Sequence, residues 1–188
     1  IYILLLLTFG LSLDHSLSFD GDGDYVNLGA PDVLEFNSGN FTASAWFNTS
    51  IAKRSWILSN WHAGGQNPMW AFGTENVNGK CVLHYDMRTP GTQGYGNTDI
   101  GDGAWHNVVF VRDGNNPRFY LDGNIEIDTI YNADGGDLTS GHDLIIGAEM
   151  PPHSPEQHFN GNIDDIRIWN RALTQEEVLS NLSFELNE

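Results

Sequence analysis

Apolar and polar residues alternate with a period of two along much of this chain. In Phe41-Thr42-Ala43-Ser44-Ala45-Trp46-Phe47 the odd positions are apolar and the even ones mostly polar, the pattern of a half-buried strand. Trp46 breaks the alternation and is expected to pack on the second face of its sheet. Similar β-rich runs are His15–Phe19, Tyr25–Leu28, Trp56–Trp61, Met69–Gly73, Lys80–Tyr85, His106–Arg112, Arg118–Leu121, Ile125–Ile130, Asp143–Gly147 and Gly161–Trp169. Glycine and proline punctuate them at spacings of about 8–15 residues, which predicts an all-β sandwich or barrel. Asp122-Gly123 lies between two apolar runs and predicts a tight hairpin, because both residues tolerate positive φ. Asp113-Gly114-Asn115-Asn116 is a second turn. One helix is expected. Thr174-Gln175-Glu176-Glu177 has the form of a capping box, and Val178, Leu179 and Leu182 follow as a small apolar face that would pack on the sheet.

The N-terminus departs from this pattern. Residues 1–12, Ile-Tyr-Ile-Leu-Leu-Leu-Leu-Thr-Phe-Gly-Leu-Ser, form an apolar stretch of the length of an export-signal core, too short to span a bilayer. The expectation is a truncated export signal over 1–12, a sandwich domain over 13–182 and a tail or linker start over 183–188. The alternative for the first segment is an opening strand. No other segment is apolar for long enough to be a transmembrane helix, so no membrane insertion of the mature domain is expected.

Composition narrows the function classes. Hydrophobic residues make up 40% and aromatic ones 12%, enough for one core and too much for intrinsic disorder. The net charge is −17 and Lys53 and Lys80 are the only lysines, which argues against nucleic acid and against an anionic membrane surface. Neutral ligands and cations remain open. A single cysteine, Cys81, excludes an intrachain disulfide and reads as a small core residue.

Two acidic groups draw attention. Asp20-x-Asp22-x-Asp24 places three carboxylates within five residues, separated by glycines that let carbonyls turn inward, as calcium requires. An EF-hand is excluded, because Tyr25 stands at the sixth position and Pro31 at the twelfth. The alternative is a solvated Asp-Gly turn. Asp164-Asp165 is the second group. Strict parity would put Asp164 on the face of Ile166 and Ile168, where a carboxylate must be paired or metal-bound. Backbone amides, Arg167 or Arg171 could satisfy it instead. Among the histidines, His106 is expected to be structural and His84 to lie at the surface. His153 and His158, with Glu149 and Glu156, fit no standard metal spacing.

Three segments carry a resemblance: residues 16–26 around Phe19-Asp20-Gly21, residues 102–123 from Asp102-Gly103-Ala104-Trp105-His106 to Leu121-Asp122-Gly123, and residues 159–174 around Asn162-Ile163-Asp164-Asp165-Ile166-Arg167-Ile168-Trp169. In this order they resemble the laminin-G-like, concanavalin A-like superfamily of lectin and glucanase sandwiches, over roughly residues 14–182. The resemblance implies a jelly-roll of two antiparallel sheets. It also implies a structural calcium between the first loop and the last strand, carried here by Asp20, Asp22, Asp24, Asp164 and Asp165. The fold also hosts glycoside hydrolases. The near match here, Glu126-Ile127-Asp128, has Ile130 at the next position of the same parity, so the acid motif is incomplete.

Three long loops, His62–Pro68, Met87–Thr98 and Glu149–His158, are where a rigid sandwich would carry specificity. Their candidate ligand residues are Trp61, His62, Gln66, Asn67, Trp70, Arg88, Tyr95, His153 and His158; Trp46, Trp105 and Trp169 are assigned to the core, and Trp56, Trp61 and Trp70 are open either to packing or to a ligand surface. The reading is a secreted, non-catalytic, calcium-stabilised module for carbohydrate or an extracellular protein. The alternatives are a polysaccharide-processing enzyme of the same fold and a ligand-free spacer.

Overall fold

The structure is a computed structural model that describes residues 2–3, 16–30, 32, 36–60, 69–87, 92–114, 116–127, 138, 141–149 and 157–182. Among these residues the structure has thirteen strands and one helix: β1 (Tyr2–Ile3), β2 (Leu17–Asp20), β3 (Val26–Asn27), β4 (Phe41–Asn48), β5 (Ser55–Ser59), β6 (Trp70–Val77), β7 (Lys80–Met87), β8 (Thr92–Tyr95), β9 (His106–Asp113), β10 (Asn116–Leu121), β11 (Asn124–Ile127), β12 (Ile145–Ile146), β13 (Asn160–Trp169) and α1 (Gln175–Leu182). They form two antiparallel sheets of a jelly-roll. The seven-stranded sheet runs β1-β13-β4-β9-β10-β11, with β2 also paired to β13, and the six-stranded sheet runs β3-β12-β5-β6-β7-β8. No helix among the described residues is long and apolar enough to cross a membrane.

The alternation read in the sequence sorts side chains between two layers. Ala43, Ala45 and Phe47 of β4, Val108 and Phe110 of β9, and Phe72, Leu83 and Tyr85 of the opposite sheet enter one core between the sheets. Its centre is aromatic: Phe110 lies 4.7 Å from Phe119, and Phe119 lies 5.0 Å from Tyr85. The other face of the seven-stranded sheet makes a second, smaller cluster of Val109, Val111, Tyr120, Trp169, Leu173 and Val178, which α1 covers. The helix starts as the sequence predicts. The Glu177 amide donates to the Thr174 hydroxyl at 3.3 Å, and the Glu177 carboxylate accepts from the Thr174 amide at 2.9 Å. Arg171 grips the same carboxylate at 2.8 and 2.7 Å, which holds Glu177 down at about 2; the Thr174 backbone bond adds to it. Asp122 and Gly123 both take positive φ at the β10–β11 hairpin, as that two-residue turn demands.

Tyr2 and Ile3 pair with Trp169 and Ile168, within the segment expected as an export signal; residues 4–15 lie outside the described ones. Trp105 is exposed at 42% and does not join the core expected for it, whereas Trp169 does join the second cluster.

Candidate functional site

The predicted acidic residues fall into two places. Register sets Asp20 opposite Asn160 and Leu17 opposite Ile163. Asp164 therefore lies four residues, about 13 Å, along β13 from the level of Asp20. The five acids do not converge, and among the described residues no group of three or more His, Cys, Asp or Glu side chains is placed to hold a metal. The parity argument for Asp164 also fails. Between Asp164, opposite Trp46, and Arg167, opposite Ser44, β13 carries one residue more than β4. That bulge, with Asp165 at φ 44, inverts the alternation, so Ile163, Ile166 and Ile168 all reach the core and Asp164 shares a face with Trp46. Asp165 is held by Arg167, whose Nε donates at 2.7 Å and whose second nitrogen lies 2.6 Å from the other oxygen.

The Asp20–Asp24 turn is internally organised. The Asp22 amide donates to the Asp20 carboxylate at 2.8 Å, and the Asp20 amide to the Asp24 carboxylate at 3.2 Å. Three carbonyls face side-chain nitrogens: Asp20 accepts from Asn160, Gly21 from Lys53 at 3.3 Å, and Asp24 lies 3.3 Å from His158 Nδ1. Lys53 supplies positive charge at this turn.

A more unusual arrangement lies on the face of the six-stranded sheet that points away from the core. Cross-strand pairing sets Trp56 opposite Gly73, Gly73 opposite His84, and His84 opposite Tyr95, so one row crosses β5, β6, β7 and β8. Gly73 has no side chain to separate its neighbours, and Trp56 and His84 close over it with ring centres 5.0 Å apart. Nothing larger fits at 73, where a Cβ would stand 2.0 Å from the Ser55 carbonyl oxygen. On its other side His84 stacks on Tyr95 at 4.8 Å, with the rings within 9° of parallel. Trp56 is fastened from above, its indole N–H donating to Gln157 at 2.7 Å.

His84 is fully buried, and among the described residues neither of its ring nitrogens has a hydrogen-bond partner. An unsatisfied buried polar group costs about 1–3 kcal/mol. Burial drives the imidazole down to about 3, helped by the charge of Arg54, so the ring is neutral at physiological pH. Arg54 lies at the centre of the polar groups here. Its Nε is 2.6 Å from Glu75, and its charge is felt by Tyr95, Asp86, His84 and Glu149. Glu149 is raised by burial, against the pull of its bond with Trp56 and of Arg54. Two parts of the cluster reach solvent: the Arg54 side chain and Tyr95, each 39% exposed.

Of the predicted ligand residues, Tyr95 belongs to this face. Trp70 does not: it is buried in the core, 5.0 Å from Phe41, and is removed from the candidates. His158 sits at the Asp20–Asp24 turn. Trp61, His62, Gln66, Asn67, Arg88 and His153 lie outside the described residues. His84, expected at the surface, is instead the centre of the row. Period two assigned it to the correct face, but no local signal showed that Trp56 and Tyr95 would close on it. Glu126 on β11 is half-buried and engaged. Its carboxylate accepts from the amides of Asn97 and Thr98 at 2.6 and 2.7 Å and from the Thr98 hydroxyl at 2.8 Å, tying the seven-stranded sheet to the segment after β8.

A family profile described as the concanavalin A-like lectin/glucanases superfamily, of laminin-G type, matches residues 20–179. The chain belongs to this family. A search of curated proteins finds no match. Among solved structures, the binding domain of Paraclostridial Mosquitocidal Protein 1 superposes with a TM-score of 0.72 at 13% identity, over 92% of this chain and 44% of that one. This chain thus spans less than half of that structure's length. The Ruminococcus gnavus IT-sialidase CBM40, bound to α2,3-sialyllactose, gives 0.71 at 13% identity, over 90% and 97% of the two chains. Domain 4 of AbnA, an extracellular GH43 arabinanase of Geobacillus stearothermophilus in complex with arabinotriose, gives 0.64 at 17% identity, over 89% and 76%. At these identities the likeness is one of fold.

Proposed function

We propose that this laminin-G-like domain is a non-catalytic carbohydrate-binding module of an exported protein, with its ligand face on the outer side of the six-stranded sheet. The observation that carries this reading is the row Trp56–Gly73–His84–Tyr95. Four strands hold three rings in a fixed stack beside Arg54, Glu75 and Asp86, with an unsatisfied histidine at its centre. An imidazole buried there without a partner among the described residues costs stability, which speaks for a role beyond packing. Superposable carbohydrate-binding domains add support at the level of the fold. The engagement of Glu126 by three donors supports a structural role for the acid that a hydrolase reading would use. Binding of the purified domain to a glycan array, with no release of reducing ends from the bound polysaccharide, is the expected result. Reducing-sugar release that is lost on Glu126→Gln would return the enzyme reading.

Calcium enters this reading at the Asp20–Asp24 turn alone. Its support is the sequence spacing of three carboxylates within five residues, interleaved with two positive-φ glycines; the three side chains are not gathered on one point in the structure. An ion there would take the place of the Lys53 ammonium at the Gly21 carbonyl. Such an ion binds only the folded chain, so calcium is expected to raise the melting midpoint of metal-stripped protein. An unchanged midpoint would leave Lys53 as the cation of this turn.

A further inference from the structure

We infer that the seven-stranded sheet carries a second carbohydrate site, at the end of its outer face away from α1, where Trp105 and the Asn48–Asn162 amide pair receive a pyranose ring. This site goes beyond the reading above and does not depend on the Trp56–His84–Tyr95 row.

Strand register builds the site. Asn162 of β13 stands opposite Ser18 of β2 on one side and Asn48 of β4 on the other. His106 stands opposite Phe47, so Trp105, one residue earlier, comes level with Asn48. Phe47 enters the core, and alternation therefore turns Asn48 to the outer face. Ser18, Asn162, Asn48 and Trp105 thus share one level of that face. The cluster under α1 contains Val109 and Val111, which stand opposite Ser44 and Thr42. Asn48 lies four residues, about 13 Å, beyond Ser44. Trp46, half-buried on the same face, is the diagonal cross-strand neighbour of Trp105.

Trp105 is fixed at its backbone and open at its ring. The Ala104 amide donates to the Asp102 carboxylate at 2.7 Å, and the Gly103 amide donates to the Thr49 carbonyl at 3.0 Å. His106, next in the chain, lies 3.3 Å from Asp102 and 2.9 Å from Asp122. Trp105 nevertheless keeps 42% of its surface exposed. A lone surface tryptophan needs no explanation. This one stands on a fastened turn, which lowers the ordering cost of binding, and its flat indole suits the C–H face of a pyranose.

The amide pair supplies the polar part. Asn162 Nδ2 donates to Asn48 Oδ1 at 3.0 Å. That bond leaves the Asn48 NH2 group and the Asn162 carbonyl without a partner among the described residues, and both residues are only half-buried. With both amides turned over, the pair still presents one NH2 group and one carbonyl. A donor and an acceptor side by side match neighbouring hydroxyl groups, each of which can donate and accept. An apolar partner would cover these groups and leave them unpaired.

The test is an NMR titration of the whole chain with cellohexaose, xylohexaose, mannohexaose and galactohexaose, read at the Trp105 indole N–H and the Asn48 side-chain NH2. Wild type, Trp105→Ala, Asn48→Ala and Tyr95→Ala are compared, each first checked for an unchanged melting transition. Trp105→Phe reads the site if Trp105→Ala does not fold. At least one oligosaccharide is expected to move both signals in the wild type. Affinity read at Asn48 should fall roughly tenfold or more in Trp105→Ala. Affinity read at Trp105 should fall by a smaller factor in Asn48→Ala, and both signals should respond in Tyr95→Ala as in the wild type. A panel that leaves Trp105 and Asn48 unmoved overturns the inference: if Tyr95 moves, the outer-face row stands alone, and if it does not, both readings fail. Undiminished response at Asn48 in folded Trp105→Ala also overturns it, as does loss of the Trp105 response in folded Tyr95→Ala.

Discussion

The two outer faces of the sandwich are built on opposite principles. On the seven-stranded sheet, Val109, Val111, Tyr120 and Trp169 are sealed by Leu173 and by Val178 of α1. The polar groups at that edge are matched: Thr174 and Glu177 cap each other, and Arg171 completes the Glu177 carboxylate. On the six-stranded sheet, the outer face buries an imidazole with no partner and leaves a tyrosine ring half open at the edge. Under α1, one face gives stability and satisfies its hydrogen bonds. The other buries an imidazole with no partner among the described residues, at a cost in stability.

Substitutions should separate the two faces. The largest effect belongs to the sealed one: Trp169→Ala is expected to lower unfolding stability by about 3–5 kcal/mol in denaturant titration. Where the chain still folds, its glycan affinity should be unchanged. On the other face the sign reverses. His84→Phe keeps a ring between Trp56 and Tyr95 and removes the unpartnered nitrogens, so it should raise stability by about 1–3 kcal/mol. A fall in stability on His84→Phe would show that the nitrogens are satisfied and would erase the contrast. Thr174→Ala, which removes the helix cap, should cost about 1 kcal/mol and leave Tyr95 untouched.

Acid should also tell the faces apart. His84 is lowered from 6.5 to about 3, so between those values the unfolded chain binds the proton that the folded one refuses. Its stability contribution is complete above pH 6.5 and is lost as pH falls toward 3. Glu177 is lowered from 4.5 to about 2, so its contribution is complete above 4.5 and is lost as pH falls toward 2. Stability of the wild type should begin to decline near pH 6.5. In His84→Phe the His84 part of that decline should be absent, leaving the later loss below 4.5 that Glu177 contributes. Equilibrium unfolding across this range measures both windows.

The fold was readable where local chemistry decides it. Alternation found β4 and β9, Asp122-Gly123 marked its hairpin, and Thr174 with Glu177 marked the helix start. What depends on pairing between distant strands was not readable. Thr92-Gln93-Gly94-Tyr95 has no apolar alternation and sits inside an expected loop. It is a strand because it pairs with β7 at an edge where Gly94 lies over the Tyr85 ring, 2.3 Å from where a Cβ would stand. The bulge that turned Asp164 away from Ile166 is a mismatch of one residue between β13 and β4, invisible in β13 alone. The candidate site follows the same rule. Tyr95 was legible as an aromatic residue in a long loop. Trp56 was legible as a tryptophan open to a ligand surface; His84 was not, because the stack is assembled from four strands and depends on a missing side chain at Gly73.

The central claim is that the ligand lies on the outer face of the six-stranded sheet. It is tested most directly by mapping NMR shift changes while titrating the oligosaccharide that the array selects. The account predicts that the Tyr95 ring, the His84 imidazole and the Trp56 indole N–H shift together, while Trp169 and Val178 stay in place. Shifts centred on Trp169 and Val178, or on the Asp20–Asp24 turn, with Tyr95 unmoved, would contradict it.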